Sequence, residues 1–210
     1  MIDERDVLDR RVVPVLVLED LDTAVPVAAA LAAGGLPVAE VTFRTAVAAD
    51  ALARIAAETD LVVGAGTVVR PDQVDAAVAA GAQFIVTPGL SASVVERCRA
   101  LDVLVIPGVA TASEVIAALD HGVDLLKLFP AEAVGGTALL QALRGPFPDV
   151  RFVPTGGIGP GNAASYLAIP SVAAVGGSWM VPPGAIAARD FDAVTRLARE
   201  AVLLAEGVTR

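Results

Sequence analysis

The sequence of 210 residues contains only one lysine, one cysteine and one histidine. The single cysteine, Cys98, excludes a disulfide framework. The single histidine, His121, excludes zinc chemistry and any catalytic triad that depends on histidine. We therefore expect neither zinc chemistry nor a catalytic triad in this protein.

Basic charge is also scarce, because 15 Lys and Arg residues stand against 24 Asp and Glu residues and give a net charge of −9. No basic stripe is present, so nonspecific nucleic-acid binding is not expected. An anionic substrate would need a locally positive pocket. With 55% hydrophobic and 19% charged residues, the chain has the composition of a folded protein and excludes disorder.

The longest uncharged stretch, 152–188, does not resemble a membrane span, because glycine and proline residues interrupt it repeatedly. Residues 1–11 carry seven charges, which is unlike a signal peptide. The sequence therefore predicts a cytoplasmic protein with no membrane segment.

Short β-branched runs alternate with alanine-rich stretches that have good helix-start signals, such as Pro71. The predicted strands are 12–18, 38–44, 61–67, 84–88, 103–107, 125–129, 151–155 and 172–176. Strands that are apolar at nearly every position are buried on both faces, as in a parallel sheet.

Eight strand–helix repeats predict an α/β fold of the (β/α)8 TIM-barrel type. A doubly wound open sheet is the alternative, but the regular repeats and the lack of a second composition zone favour closure. We predict one compact barrel domain over 1–210, with 1–11 as a charged N-terminal segment.

Lys127 is the most informative residue, because it is the only lysine and lies within the apolar strand 125–129. A buried lysine can be a structural ion-pair partner, or its amine can reach water from a strand end. A desolvated amine can also be neutral and attack a carbonyl group, which arginine cannot do. The exclusive use of arginine elsewhere favours this third interpretation, a Schiff-base lysine.

Glu40, Thr42 and Arg44 alternate along the strand 38–44 and therefore share one face. If that face lines the barrel interior, Glu40 could move protons and Arg44 could bind a substrate carboxylate. A salt bridge at a strand end is the structural alternative. Thr67, which ends the next strand, is a further candidate donor to such a carboxylate.

Glycine pairs follow the last two predicted strands, where barrels often bind phosphate through backbone N–H groups. The first motif runs Pro154-Thr155-Gly156-Gly157-Ile158 and the second runs Gly176-Gly177-Ser178-Trp179. Either pair alone is ordinary turn chemistry. Together they predict a phosphate-binding cradle.

Six motifs, in order and at the expected spacing between about Val12 and Ala201, resemble the bacterial 2-keto-3-deoxy-6-phosphogluconate (KDPG) and 4-hydroxy-2-oxoglutarate (KHG) aldolases. Two of the six are the glycine motifs just described. The other four are Glu40-Val41-Thr42-Phe43-Arg44-Thr45, Gly64-Ala65-Gly66-Thr67-Val68, Pro88-Gly89 and Lys127-Leu128-Phe129-Pro130-Ala131-Glu132.

The resemblance implies a class I, metal-independent aldolase that forms a (β/α)8 barrel and assembles as a homotrimer. It implies that Lys127 forms the Schiff base and that Glu40 is the general acid and base. Arg44 and Thr67 match contacts to the pyruvate carboxylate, and Pro88 and Phe129 match apolar walls at the pyruvate methyl end. The residues that match the phosphate side are Thr155, Gly156, Gly157, Gly176, Gly177 and Ser178.

The implied reaction converts 2-dehydro-3-deoxy-6-phosphogluconate into pyruvate and D-glyceraldehyde 3-phosphate. One alternative keeps the chemistry but uses 4-hydroxy-2-oxoglutarate or 2-dehydro-3-deoxy-6-phosphogalactonate. A second is a phosphate-binding barrel isomerase or synthase in which Glu40 is the base and Lys127 acts only electrostatically. A third is a non-catalytic protein that binds a phosphorylated metabolite.

Overall fold

The computed structural model describes residues 3–208 and contains nine β-strands and ten α-helices in that range. The strands are β1 Val12–Leu16, β2 Val38–Thr42, β3 Val62–Gly66, β4 Phe84–Val86, β5 Leu104–Ile106, β6 Gly108–Val109, β7 Leu125–Leu128, β8 Arg151–Phe152 and β9 Val175–Gly177. The fold alternates these strands with helices, as the sequence pattern predicts.

The helices are α1 Glu4–Leu8, α2 Ala24–Ala33, α3 Ala48–Glu58, α4 Pro71–Ala79, α5 Ala92–Ala100, α6 Ala112–Asp120, α7 Gly136–Arg144, α8 Ala163–Leu167, α9 Pro183–Ala187 and α10 Phe191–Glu206. Local signals explain several starts: Pro71 opens α4, Thr111 caps α6 through Glu114 N, and Asp190 caps α10 through Ala193 N. None of the helices formed by residues 3–208 has both the length and the apolar composition needed to cross a bilayer.

The strands form two parallel sheets, so the predicted parallel α/β fold is confirmed. One sheet has six strands in the order β5-β4-β3-β2-β1-β9, and the other has three in the order β6-β7-β8. Backbone contacts also connect the two sheets. Gly176 N of β9 donates to Pro154 O, which follows β8, over 2.9 Å, and only Pro107 separates β5 of the larger sheet from β6 of the smaller one.

Two apolar clusters lie on opposite faces of the strands. The larger cluster packs the outer faces of the strands against the helices. The smaller cluster collects side chains from strands of both sheets, and its members are Val7, Val13, Val38, Phe84, Val86, Ile106, Leu125, Val153 and Ala174. We call this smaller cluster the inner core. Both faces of β1 are buried, which explains why this strand is apolar at every position. β2 is also buried at every position, although it carries Glu40 and Thr42.

The predicted strands 12–18, 38–44, 61–67, 84–88 and 125–129 are each one or two residues shorter in the structure, and the other three differ more. The predicted strand 103–107 shortens to β5, which ends before Pro107, whose nitrogen cannot donate to a ladder, and an unpredicted strand, β6, follows that proline. Strand 151–155 shortens to β8, which ends before Pro154. Strand 172–176 shifts to β9, although Phe152 and Val172 still form a parallel bridge.

The charged segment 1–11 contains α1, and Val7 of this helix is 1% exposed within the inner core. Arg151 of β8 holds the helix through a 2.7 Å ion pair with Glu4. The segment therefore packs against one end of the strands. Residues 1, 2, 209 and 210 of the predicted domain lie outside the described residues.

Candidate active site

The structure brings Lys127 and Glu40 together, although 87 positions separate them in the chain. Lys127 Nζ lies 3.4 Å from Glu40 Oε1, and their side chains are 6% and 4% exposed. Each residue is two positions beyond an inner-core residue, Leu125 on β7 and Val38 on β2, so both point to the same interior. Buried charges are costly unless they are paired, and here each residue is the partner of the other.

Gly66 at the end of β3 makes room for the Glu40 carboxylate. An added Cβ at this position would collide with Glu40 Oε1 and would lie 2.5 Å from both Cγ and Cδ. Only glycine therefore allows Glu40 to occupy its observed position beside Lys127. The side chain of a candidate catalytic residue therefore packs directly against the backbone of β3.

Arg44 and Thr67 form a second polar pair. The Nε of Arg44 donates a hydrogen bond of 3.1 Å to Thr67 Oγ1. Thr67 has a φ of 60°, a left-handed conformation that β-branched residues rarely adopt. Such backbone strain persists where the surrounding structure enforces it, often at functional sites. Here it places the Thr67 hydroxyl within reach of an exposed arginine.

One pocket of about 250 Å³ collects most of the predicted binding residues. Its lining consists of Val15, Val17, Arg44, Phe129, Thr155, Gly156, Gly157, Ile158, Gly176, Gly177 and Ser178. The two glycine motifs and Arg44 therefore meet at one pocket. Arg44 supplies a positive charge beside a stretch that has no charged residue of its own.

Phe129 connects this pocket to the buried pair, because it lines the pocket and its ring centroid lies 5.2 Å from Lys127 Nζ. Pro88 does not line the pocket. Its backbone packs against Gly108, which is in register with Lys127 on the neighbouring strand. Glu40, Lys127 and Thr67 are also absent from the pocket lining that the described residues form.

Sequence reasoning missed three residues of the pocket, Val15, Val17 and Ile158. The alternation of β1 could have identified the two valines, because they continue the face that carries Val13 of the inner core. Ile158 directly follows the first glycine pair. These side chains add apolar surface beside Arg44 and the glycine loops.

The arrangement has the components of an imine-forming site that accepts an anionic substrate. It combines a buried amine, an adjacent carboxyl group, an arginine and a glycine-rich pocket wall. Within residues 3–208, no group of three or more His, Cys, Asp or Glu side chains is placed to hold a metal ion.

Comparisons with known proteins show which family this chain resembles in sequence and fold. The chain is 52% identical to a 2-dehydro-3-deoxy-phosphogluconate aldolase of Treponema pallidum (strain Nichols), over 90% of this chain and 91% of the relative. It is 50% identical to a KHG/KDPG aldolase of Escherichia coli (strain K12), over 91% of this chain and 90% of the relative.

A solved structure of a KDPG aldolase from Legionella pneumophila superposes with a TM-score of 0.90 at 43% identity, covering 93% of this chain and 96% of that chain. That crystal structure holds pyruvate captured at low pH as a covalent carbinolamine intermediate. A family model described as KDPG and KHG aldolase matches residues 3–197. This chain therefore belongs to the KDPG and KHG aldolase family.

Proposed function

We propose that this chain is a class I aldolase, an aldehyde-lyase that cleaves 2-dehydro-3-deoxy-6-phosphogluconate to pyruvate and D-glyceraldehyde 3-phosphate. The observation that carries the proposal is the buried Lys127–Glu40 pair, with 3.4 Å between Nζ and Oε1. Transfer of one proton across that distance gives a neutral amine and a carboxylic acid. These are the forms that imine formation requires.

In the proposed mechanism, Lys127 Nζ adds to the C2 carbonyl of the substrate and forms a carbinolamine. Glu40 gives its proton to the departing hydroxyl, so water leaves and an iminium ion remains. The Glu40 carboxylate then takes the proton of the C4 hydroxyl, the C3–C4 bond breaks, and its electron pair moves into the iminium. The aldehyde leaves, the enamine is protonated at C3, and hydrolysis releases pyruvate and Lys127.

The binding roles follow from the charges and shapes around this pair. Arg44 binds the C1 carboxylate with help from Thr67, because a guanidinium offers paired donors to a carboxylate. Phe129 and Pro88 form the apolar wall at the methyl end of pyruvate.

The phosphate binds at the two glycine loops, through backbone amides and the hydroxyls of Thr155 and Ser178. The proposed reaction uses no metal ion and no organic cofactor.

We also propose that the two sheets close into one (β/α)8 barrel domain covering 1–210. The backbone bond from Gly176 N to Pro154 O supports closure on one side, because it joins β9 of the larger sheet to the segment that follows β8 of the smaller sheet. On the other side, only Pro107 separates β5 of the larger sheet from β6 of the smaller sheet. The inner core supports it as well, since it draws side chains from both sheets. The interior of such a barrel is a packed core with its active site at the carboxyl ends of the strands.

The proposed assembly is a homotrimer, and the proposed location is the cytoplasm. The family resemblance supports the trimer, and light scattering tests it against three times the chain mass of 21.2 kDa. The lone cysteine supports a reducing compartment, because no intrachain disulfide can form.

A second candidate keeps the chemistry and changes the aldehyde half of the substrate. The family model covers KHG aldolases as well as KDPG aldolases, which favours 4-hydroxy-2-oxoglutarate as an additional substrate. The galactonate epimer of the phosphorylated sugar acid remains the other alternative. Side-by-side turnover of the three substrates decides between them, and a preference for the phosphorylated pair is expected from the glycine loops.

Mass spectrometry after treatment with pyruvate and borohydride tests the mechanism. Reduction converts an imine into a stable secondary amine, and Lys127 and the chain's α-amino group are the only primary amines available. We expect one adduct, on the peptide that contains Lys127. A Lys127→Met variant keeps an unbranched side chain of similar length but has no amine, so it should form no such adduct. A folded wild-type protein without the adduct would overturn the proposal in favour of an isomerase or a binding protein.

A further inference from the structure

The connection between β7 and α7 supports the first glycine loop from behind. Ala131 N donates to Thr155 O over 2.8 Å, and Glu132 N donates to Gly156 O over 3.1 Å. The two segments therefore run side by side, and the position of one determines the position of the other. Thr155 and Gly156 line the pocket, whereas Ala131 and Glu132 do not.

The side chain of Glu132 also packs directly against Gly157. An added Cβ at Gly157 would lie 2.6 Å from Glu132 Cγ and 2.8 Å from Glu132 Cβ. Gly157 has a φ of 81°, in the left-handed region that favours glycine. The aliphatic part of the Glu132 side chain therefore packs directly on Gly157 and helps to fix its backbone conformation.

Tyr166 holds the other end of Glu132. It is the only tyrosine of the chain, its side chain is fully buried on α8, and its hydroxyl donates a hydrogen bond to Glu132 Oε1. Burial and the adjacent carboxylate both raise the pKa of the Tyr166 hydroxyl, so the hydroxyl stays protonated and remains a donor. Gly136 leaves the space for this contact, because a Cβ there would lie 3.0 Å from Tyr166 Oη.

A second brace holds the same loop independently. Asn162 Nδ2 donates to Gly157 O over 3.0 Å, and Gly159 N donates to Asn162 Oδ1 over 2.8 Å. Loss of the Tyr166 hydroxyl should therefore loosen Gly156 and Gly157 without unfolding the loop. This makes the contribution of the hydroxyl measurable in a folded enzyme.

We propose that Tyr166 is a positioning residue that acts through Glu132 to fix Gly156 and Gly157 for the phosphate end of the substrate. This inference rests on the proposed function. Tyr166 does not line the pocket and touches no reacting atom, so it should affect phosphate binding and leave imine formation at Lys127 unchanged.

The test compares Tyr166→Phe and Glu132→Ala, which remove the hydrogen bond, with Glu132→Gln, which keeps an oxygen acceptor. Thr195→Val is the matched control, because it removes a hydroxyl that donates to Ala30 O between α10 and α2. We expect a roughly five- to tenfold higher KM for the phosphorylated substrate in the first two variants, which corresponds to about 1–1.4 kcal/mol and lies in the range of a typical hydrogen bond. Glu132→Gln and Thr195→Val should stay within about twofold of wild type, below the cost of such a bond.

Two further readouts separate a positioning role from a structural one. Pyruvate and borohydride should label Lys127 equally in all variants, because the pyruvate half of the site is untouched. Fluorescence of Trp179, the only tryptophan, whose ring packs on Gly177, should report inorganic phosphate binding at the cradle. We expect Tyr166→Phe to weaken that binding by a similar factor.

Three outcomes would overturn the inference. One is an unchanged KM and unchanged phosphate binding in Tyr166→Phe. Another is a parallel loss of Lys127 labelling, and the third is a rise in KM in Thr195→Val as large as that in Tyr166→Phe. Absence of the adduct in the wild type would contradict the proposed function alone, because phosphate binding still tests the role of Tyr166.

Discussion

Gly66→Ala should separate Glu40 from Lys127 while leaving both residues in the chain. The added methyl group would collide with Glu40 Oε1 and lie 2.5 Å from Glu40 Cγ and Cδ. Carbon atoms normally approach to about 3.5–4.0 Å, so the Glu40 side chain must move by roughly 1 Å or more. That shift breaks a contact between Glu40 and Lys127 that is already 3.4 Å long.

The expected cost follows from the role proposed for Glu40. A misplacement of about 1 Å in a catalytic group can lower the rate about 100-fold. Complete loss of general acid–base catalysis costs about 10²- to 10⁴-fold. We therefore expect kcat to fall by about 100-fold or more, and crowding to lower the free energy of unfolding by about 1–3 kcal/mol.

Two glycine variants serve as controls for this experiment. Gly64→Ala lies on the same strand, in register with Glu40, but the side chain nearest its Cβ is the Phe84 ring at 2.5 Å, so it tests crowding of the inner core without a direct collision with the Glu40 carboxylate. Gly184→Ala has open space around the added methyl group and should behave like the wild type. The assays are pyruvate release and urea unfolding. If Gly66→Ala keeps kcat within about threefold of wild type, the assignment of Glu40 as proton carrier is refuted, because that role predicts a loss of at least ~100-fold.

Three further predictions follow from other contacts. Arg44→Ala should lower kcat/KM by about tenfold or more, because a hydrogen bond to a charged group is worth about 1.5–3 kcal/mol; a loss within about threefold in steady-state assays would exclude the carboxylate role. Thr87→Val should lower the free energy of unfolding in urea by about 1–3 kcal/mol, since Gly108 N would lose its 3.2 Å bond to Thr87 Oγ1; an unchanged midpoint would contradict this. Burial raises the pKa of the Cys98 thiol from 9.0 to about 12, so its protonated form stabilises the fold below pH 9, and up to about 4 kcal/mol of that stability is lost between pH 9 and 12. At neutral pH, the free energy of unfolding of Cys98→Ala should be about 1 kcal/mol lower than that of wild type. Above about pH 10 the variant should be the more stable protein, as measured by urea unfolding at a series of pH values. A difference in unfolding free energy that does not change with pH would contradict the raised pKa of Cys98.

The sequence predicted the chemical groups of the site because composition made them stand out. Lys127 is the only lysine and lies in an apolar strand, and the two glycine motifs follow neighbouring strands. The alternation within β2 placed Glu40 on one defined face. Each of these signals is local, so each could be interpreted from a few neighbouring residues.

Other features depended on contacts between distant segments and were not predictable. Nothing near Arg44 in the sequence indicates its bond to Thr67, and nothing near Tyr166 indicates Glu132, which is 34 positions away. The close packing of Glu40 on Gly66 likewise depends on a contact between two different strands, β2 and β3. The prediction of strand ends failed near Pro107 and Pro154, because the missing N–H interrupts a ladder only where a partner strand needs that donor.

The sequence alone determined the parallel α/β class and which residues we propose as reactive groups, because strand burial and residue chemistry are encoded locally. Only the tertiary structure decided that Lys127 and Glu40 face each other at 3.4 Å, and that Arg44 shares one pocket with both glycine loops. The physical reason is that such distances depend on how strands from different parts of the chain pack, and strand periodicity specifies a face but not the residue that lies opposite.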